Sequence, residues 1–294
     1  MSTRNSPTRW CSEAYLVYDS AEYNVDDSDI YYRNIVTAEA TNISESVITQ
    51  SALDTFQRDG YLFVRGLFSD KQMRDISRWT DEVTAFPEVP GRHMVYYEPN
   101  LTSPKERVLS RIENFCPYHD GFNALLNSGL VMGCIDRLFD APAILFKDKI
   151  NYKLPGGDGF KAHQDVQAGW DRYAPIHLTM LVSIDDATLE NGCLELAPGR
   201  HREGLLGSHW EPLDENAAMR YVSCPTHSGD VVFFDSFVPH RSRCNLTDRS
   251  RRVLYVTYNR LMDGDHRKRY YTDKRASYPP DVERDPQKTY VFRV

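Results

Sequence analysis

From residue 51 onward the order of apolar and polar positions predicts a run of elements. "SALDTFQRDG" has helical apolar spacing up to Gly60, and "YLFVRGLF" is an apolar run of buried-strand length. "SDKQMRDISRWTDEV" opens with Ser69 and Gln72 at capping-box spacing, so each side chain can take up a free backbone N–H at a helix start. A second helical patch, "LVMGCIDRLFD", stops ahead of Pro142. The texture then changes. Across residues 143–259 the short runs "AILFK", "KINYKL", "HLTMLVSI", "CLELA", "DVVFF" and "RVLYVTYN" alternate with Gly, Pro, Asn and Asp. Many short strands between turns predict a mainly β domain with flanking helices, α+β overall, closed as a jelly roll: a double-stranded β-helix of the cupin kind.

Residues 1–46, with the acidic "NVDDSDIYY", hold no steady period and read as an N-terminal extension. Residues 47–260 form the jelly-roll domain with its leading helices. Residues 261–294, rich in tyrosine and charge and carrying Pro279 and Pro280, read as a strap packed on its surface. There is no internal repeat and no low-complexity tract.

Composition narrows the partners. The chain of 294 residues is 41% apolar and 26% charged, and its net charge of −7 argues against a nucleic-acid or anionic-membrane surface. A small-molecule substrate is the expectation, with the oligomeric state left open. No apolar run approaches membrane-span length, and the N-terminus lacks the apolar core of a secretory signal, so a cytoplasmic location is expected. The six cysteines are scattered without a C-x-x-C pair, which predicts free thiols in a reducing compartment.

The β-rich half also holds the candidate chemistry. His163 and Asp165 stand two positions apart in "AHQDVQAGW", and alone such a pair is a weak signal in an acidic chain with nine histidines. "DSFVPHRSRCNLTDRSRR" adds His240, with Arg251 eleven positions later. Two histidines and a carboxylate on a β scaffold make the facial triad of non-heme iron(II) oxygenases, which leaves three coordination positions open for a co-substrate and dioxygen. In a jelly roll the first two close an early strand, and the third returns beside them on a late one.

Over residues 50–260 the chain resembles the phytanoyl-CoA dioxygenase-like family of iron(II)- and 2-oxoglutarate-dependent oxygenases. The resemblance rests on "FQRDGYLFVRGLFS", "KINYKLPGGDGFKAHQD", "DDATLENGCLELAPGRH" and "GDVVFFDSFVPHRSRCNLTDRSRRVLYV", in that order. It implies His163, Asp165 and His240 as the catalytic iron ligands and Arg251 as the planar, bidentate partner of the far carboxylate of 2-oxoglutarate. It further implies that Ser242 assists that carboxylate and that Asn151 touches the co-substrate from the opposite strand. One departure stands out: where the family can carry a co-substrate-facing tryptophan, this chain has Leu181. Relatives that chlorinate have a small residue in place of Asp165, so hydroxylation, desaturation or ring closure is implied here. The implied reaction consumes 2-oxoglutarate and O2 and yields succinate and CO2. Within the family, "KINYKLPGG", "HQD", "AGW", "YYTDKR" and "YPPD" are most similar to the bacterial 2-aminoethylphosphonate dioxygenase branch.

Substrate contacts are drawn more broadly. Gln167, Trp170 and Asp171 follow the first ligands and are candidates for the pocket mouth, while Lys149, Tyr152 and Asn259 are candidates to point inward. Lys149 and Arg243 suit a phosphonate, and Asp171 suits an ammonium. Core packing or a solvated rim is the ordinary reading of each. No stretch suggests a tunnel for a long acyl chain. The remaining histidines read as structural, and "PGGDGF" lacks the Lys-Ser/Thr and helix of a phosphate loop, so it reads as a turn. Arg252 competes with Arg251, but neighbours on a strand face opposite ways. Other functions stay open: a tailoring oxygenase of a natural product or free amino acid, a non-catalytic binding protein on the same fold, or a zinc hydrolase, which would leave Arg251 without a purpose.

Overall fold

The computed structural model describes residues 35–37, 47–214 and 219–290. Ile35–Thr37 (β1) runs parallel to Tyr61–Arg65 (β2), so three residues of the N-terminal extension add an edge strand to the domain. The rest of the extension's first 46 residues lies outside the described ones. The helix Gln50–Asp59 starts under the Thr49 side chain and stops at Gly60, whose φ of 80° and tight fit both require glycine. A Cβ there would lie 2.4 Å from His201 Nδ1. Ser69 and Gln72 form the expected capping box on the helix Asp70–Thr84.

Met94–Pro99 (β3) and Arg107–Glu113 (β4) form a hairpin that no sequence pattern had marked. After the helices Asp120–Leu126 and Gly129–Phe139 comes Ala143–Lys153 (β5), one strand of 11 residues where the sequence suggested two runs. Asp148 causes the apparent break. Fully buried, its carboxylate accepts the backbone N–H groups of Phe115 and Cys116 at 2.8 and 2.9 Å, so a charge sits inside an unbroken strand. Phe160–His163 (β6), Leu178–Ser183 (β7), Leu194–Leu196 (β8), Val222–Cys224 (β9), Val231–Asp235 (β10), His240–Ser242 (β11) and Arg251–Arg260 (β12) complete the described strands.

They pair as an eight-stranded sheet, β1-β2-β10-β7-β12-β5-β4-β3, facing a four-stranded one, β6-β11-β8-β9. This is the expected jelly roll. The strand β2 shows how both faces of the large sheet are used. Leu62 and Val64 join the layer under the helices, with Ile76, Phe122 and Ile135, while Tyr61 and Phe63 join Leu181, Leu196 and Phe234 between the sheets. Each fully buried side chain of this kind contributes roughly 1.5–3 kcal/mol.

The tail is not only a strap. Arg267–Ser277 is a helix whose Tyr270 and Tyr271 are buried against Tyr96, Phe146 and Trp170. With just two buried residues among charged ones it carries no apolar stripe for the sequence to reveal. Cys116, Cys134, Cys193 and Cys224 are free and buried, but Cys244 is disulfide-bonded, contrary to the expectation of free thiols.

Candidate active site

The strand β6 ends at His163 and β11 begins at His240, and these two residues are register partners across the small sheet. Their rings lie 4.2 Å apart. Asp165 follows on the turn after β6 and brings Oδ1 to 3.9 Å from His240 Nε2. One ligand atom from each residue falls within 4.8 Å of the others, close enough to hold a metal ion. The surroundings fix how each is presented. His163 Nδ1 lies 2.7 Å from the Lys161 carbonyl and His240 Nδ1 lies 3.0 Å from the Val238 carbonyl. A carbonyl only accepts, so both Nδ1 atoms carry the proton and both Nε2 lone pairs are left for a metal. Thr179 donates its hydroxyl to Asp165 Oδ2 at 3.2 Å and meets Thr257 at 3.0 Å.

Charge states agree with that role. Burial, and then His240, push His163 down to about 3, and burial also lowers His240, so both imidazoles are neutral at neutral pH. Burial would raise Asp165, but His240, His163 and Lys149 together hold it below the ordinary carboxylate range. Two imidazole nitrogens and one carboxylate oxygen on one side of an open space are a donor set that suits iron(II).

That space is a small cavity lined by the triad together with Lys147, Lys149, Asn151, Trp170, Ser242 and Tyr255. A second, narrower space is lined by Arg251, Leu181, Ser183, Thr226 and Val253, and Leu194 borders both. Arg251 is buried at the start of β12, where it donates to the Gly192 carbonyl and leaves Nε without an acceptor. Its register partner on β5 is Lys153, which burial and then Arg251 hold well below the ordinary lysine range and whose Nζ donates to Ser242 Oγ at 2.8 Å. Three groups suited to an anion thus stand at one end of the barrel. Arg252 turns the other way, to Asp185 and Asp81, as strand alternation requires.

The sequence profile described as Phytanoyl-CoA dioxygenase (PhyH) matches residues 56–253. The chain belongs to the phytanoyl-CoA dioxygenase family. It is 38% identical to the 2-aminoethylphosphonate dioxygenase of an uncultured bacterium, over 83% of this chain and 94% of that protein. The methylphosphonate hydroxylase of Gimesia maris is 36% identical, over 79% of this chain and 89% of the relative. The same fold is seen in EctD from S. alaskensis, solved with 2-oxoglutarate and 5-hydroxyectoine, at a TM-score of 0.64 and 19% identity over 79% of this chain and 82% of that one. This member of the family is a 2-oxoglutarate-dependent, iron-using dioxygenase, and its triad is the place where iron fits. Among the described residues no helix is long and apolar enough to cross a membrane.

The dioxygenase gathers some of the sequence candidates and sends others elsewhere. His163, Asp165, His240, Asn151, Ser242, Lys149 and Trp170 line the larger cavity, and Arg251 and Leu181 the smaller. Gln167 does not reach either: its amide donates to the Ser208 and Glu211 carbonyls at 2.9 and 2.7 Å and ties a loop to the turn. Asp171 points outward to His209 at 2.9 Å. Asn259 sits at the far end of β12, donating to the carbonyls of Arg260 and Gly264. Tyr152 faces the helix layer through Thr84, and Arg243 pairs with Glu195. Lys147, Thr179 and Tyr255 line the cavity without having been marked. The alternation Lys147, Lys149, Asn151, Lys153 along one face of β5 was the signal that could have found Lys147.

Proposed function

We propose that this dioxygenase hydroxylates a small phosphonate at the carbon next to phosphorus, with 2-aminoethylphosphonate the first candidate. The observation that carries the reading is the pair of lysines beside the triad: Lys147 and Lys149 line the cavity and, among the described residues, neither makes a hydrogen bond or ion pair with a carboxylate. The names of the two phosphonate-acting relatives support it from a separate direction.

In this reading His163, Asp165 and His240 hold iron(II), while Arg251, Ser242 and Asn151 hold 2-oxoglutarate. Bound iron supplies the oxidation, in which 2-oxoglutarate and O2 become succinate and CO2 and the second oxygen atom enters the substrate C–H bond as a hydroxyl. The chain's own part is positional. The Lys161 and Val238 carbonyls keep each imidazole in one tautomer, Thr179 orients Asp165, and Trp170 and Tyr255 wall the reacting carbon off from solvent. Residues 47–260 serve as the catalytic unit, with 1–46 and 261–294 as its extension and strap. We place the protein in the cytoplasm, where 2-oxoglutarate is made, although the Cys244 disulfide is untypical of a reducing compartment.

Succinate release from 2-oxoglutarate by the iron(II)-loaded protein, with and without 2-aminoethylphosphonate, tests the reading. Strong stimulation with a hydroxylated product by mass is expected, whereas slow, unstimulated release would overturn the substrate and leave the family. Arg251→Ala should raise the 2-oxoglutarate KM about ten- to hundredfold, the worth of one charge-assisted hydrogen bond. An unchanged KM would place the co-substrate carboxylate elsewhere.

A further inference from the structure

Lys147 is 8% exposed and lines the cavity, yet its ammonium meets only the rings of Trp170 at 5.1 Å and Tyr270 at 5.5 Å. Lys149 sits likewise over Tyr255 at 4.8 Å and Phe160 at 5.7 Å. Among the described residues neither ammonium has a hydrogen-bond acceptor or an ion pair. The nearby carboxylates are already committed. Glu113 takes Lys274 at 2.7 and 2.5 Å and Arg111 at 2.9 Å, and Asp165 belongs to the triad. The indole N–H of Trp170, also on the cavity wall, is buried without a partner. Burial, and then Lys147, push Lys149 down to about 7, so two buried amines and a buried indole donor stand open around one space, an arrangement that is costly in an empty pocket and favourable once an anion fills it.

We propose that Lys147, Lys149 and the indole N–H of Trp170 form the acid-recognition subsite of the substrate cavity, built to select a tetrahedral dianion over a monoanion. The proposal rests on the reading of the chain as a phosphonate hydroxylase and names what that site reads. A phosphonate near neutral pH carries close to two charges on three oxygens, as a phosphate monoester does, so each lysine has a counter-charge and each donor its own acceptor. A carboxylate offers one charge and two oxygens, and a sulfonate three oxygens but one charge. The aromatic faces hold the lysines at fixed positions while no ligand is present. The C-terminal helix takes part by supplying Tyr270 to Lys147 and Lys274 to Glu113, which keeps Glu113 from neutralising the subsite.

The test uses three molecules with one aminoethyl chain and different acid groups: 2-aminoethylphosphonate, taurine and β-alanine. Each is titrated by calorimetry into the full-length protein loaded with iron(II) and 2-oxoglutarate, with oxygen excluded. The phosphonate should bind about tenfold or more tightly than taurine or β-alanine, and Lys147→Met should remove that preference while Lys147→Arg keeps most of it. Equal affinity for phosphonate and taurine in the wild-type protein would overturn dianion selection. Retention of the full preference by Lys147→Met would overturn the assignment of the subsite. Should Lys147→Met fail to fold by circular dichroism, Lys149→Met bears the same prediction. Both overturning results leave phosphonate turnover intact, whereas absence of phosphonate turnover and binding in the wild-type protein sinks the functional reading itself.

Discussion

Two walls face each other across the cavity, and they differ in how their polar atoms are satisfied. On the small sheet, His163 and His240 bond backbone carbonyls through Nδ1 and Asp165 takes the Thr179 hydroxyl, so only the inward atoms are left open. On the wall formed by β5 and the turn after β6, the amines of Lys147 and Lys149 and the Trp170 indole have no hydrogen-bond or ion-pair partner among the described residues. The first wall is preorganised for a metal, its ligands held in one orientation before anything binds. The second is left incomplete for a ligand to finish. In the reading proposed above, one wall serves the metal chemistry and the other the choice of substrate.

The harshest test of that division is His240→Ala. It removes a ligand and not merely a partner of one, so iron affinity and succinate release should fall by more than the roughly 10–100-fold that a lost ligand-orienting hydrogen bond costs. The fold should survive, since the strand ladder from β11 to β6 and β8 is made by the backbone. Full turnover by this variant would dismiss the triad altogether.

Next in size is Glu113→Gln, which works on the second wall from behind. Glu113 is buried with Lys274 and Arg111, and removing its charge strands two cations, at an expected loss of about 3–5 kcal/mol in stability. Burial alone would raise Glu113, but Lys274, Lys147 and Arg111 outweigh it and hold the carboxyl below its ordinary range. A depressed carboxylate stabilises the fold above its unfolded-state pKa of roughly 4.3 and loses that contribution as pH falls through and below it. Melting curves should thus differ most between wild type and variant at neutral pH and converge in acid. A constant gap across pH would mean that Glu113 packs rather than pairs.

The two walls were unequally legible in the sequence. The metal wall could be read because its ligands are rare residue types at spacings that a β scaffold brings together, and Arg251 came with them through the resemblance. The capping box at Ser69 and the strands β7, β8, β10 and β12 were equally open to inspection, since periodicity and turn residues report local structure, whereas the three-residue β9 carried no such pattern. The second wall depends on tertiary facts. Whether Lys149 faces a cavity or solvent is decided by the sheet's far neighbours, and Lys147 escaped notice because a lysine on a strand ordinarily reads as a solvated face. Gln167 misled for the opposite reason: it sits beside the ligands in sequence, but its amide is consumed by the carbonyls of residues more than forty positions downstream. The C-terminal helix, which places the Tyr270 ring under Lys147, has too few apolar residues to announce itself.

The smallest effect sharpens where the second wall ends. Asp171 follows Trp170 directly and is the carboxylate that sequence adjacency offers to a substrate ammonium, yet its side chain is 40% exposed and bonded to His209 on the surface. If the site reads the acid group of its substrate and not the amine, Asp171→Asn should leave the KM for 2-aminoethylphosphonate within about twofold and stability within about 0.5 kcal/mol, as for other exposed pairs. A tenfold rise in KM with kcat unchanged would extend the wall past Trp170 to the turn. Recognition would then be shared between both ends of the substrate, and β-alanine and taurine would be expected to bind through the amine end that Asp171 holds.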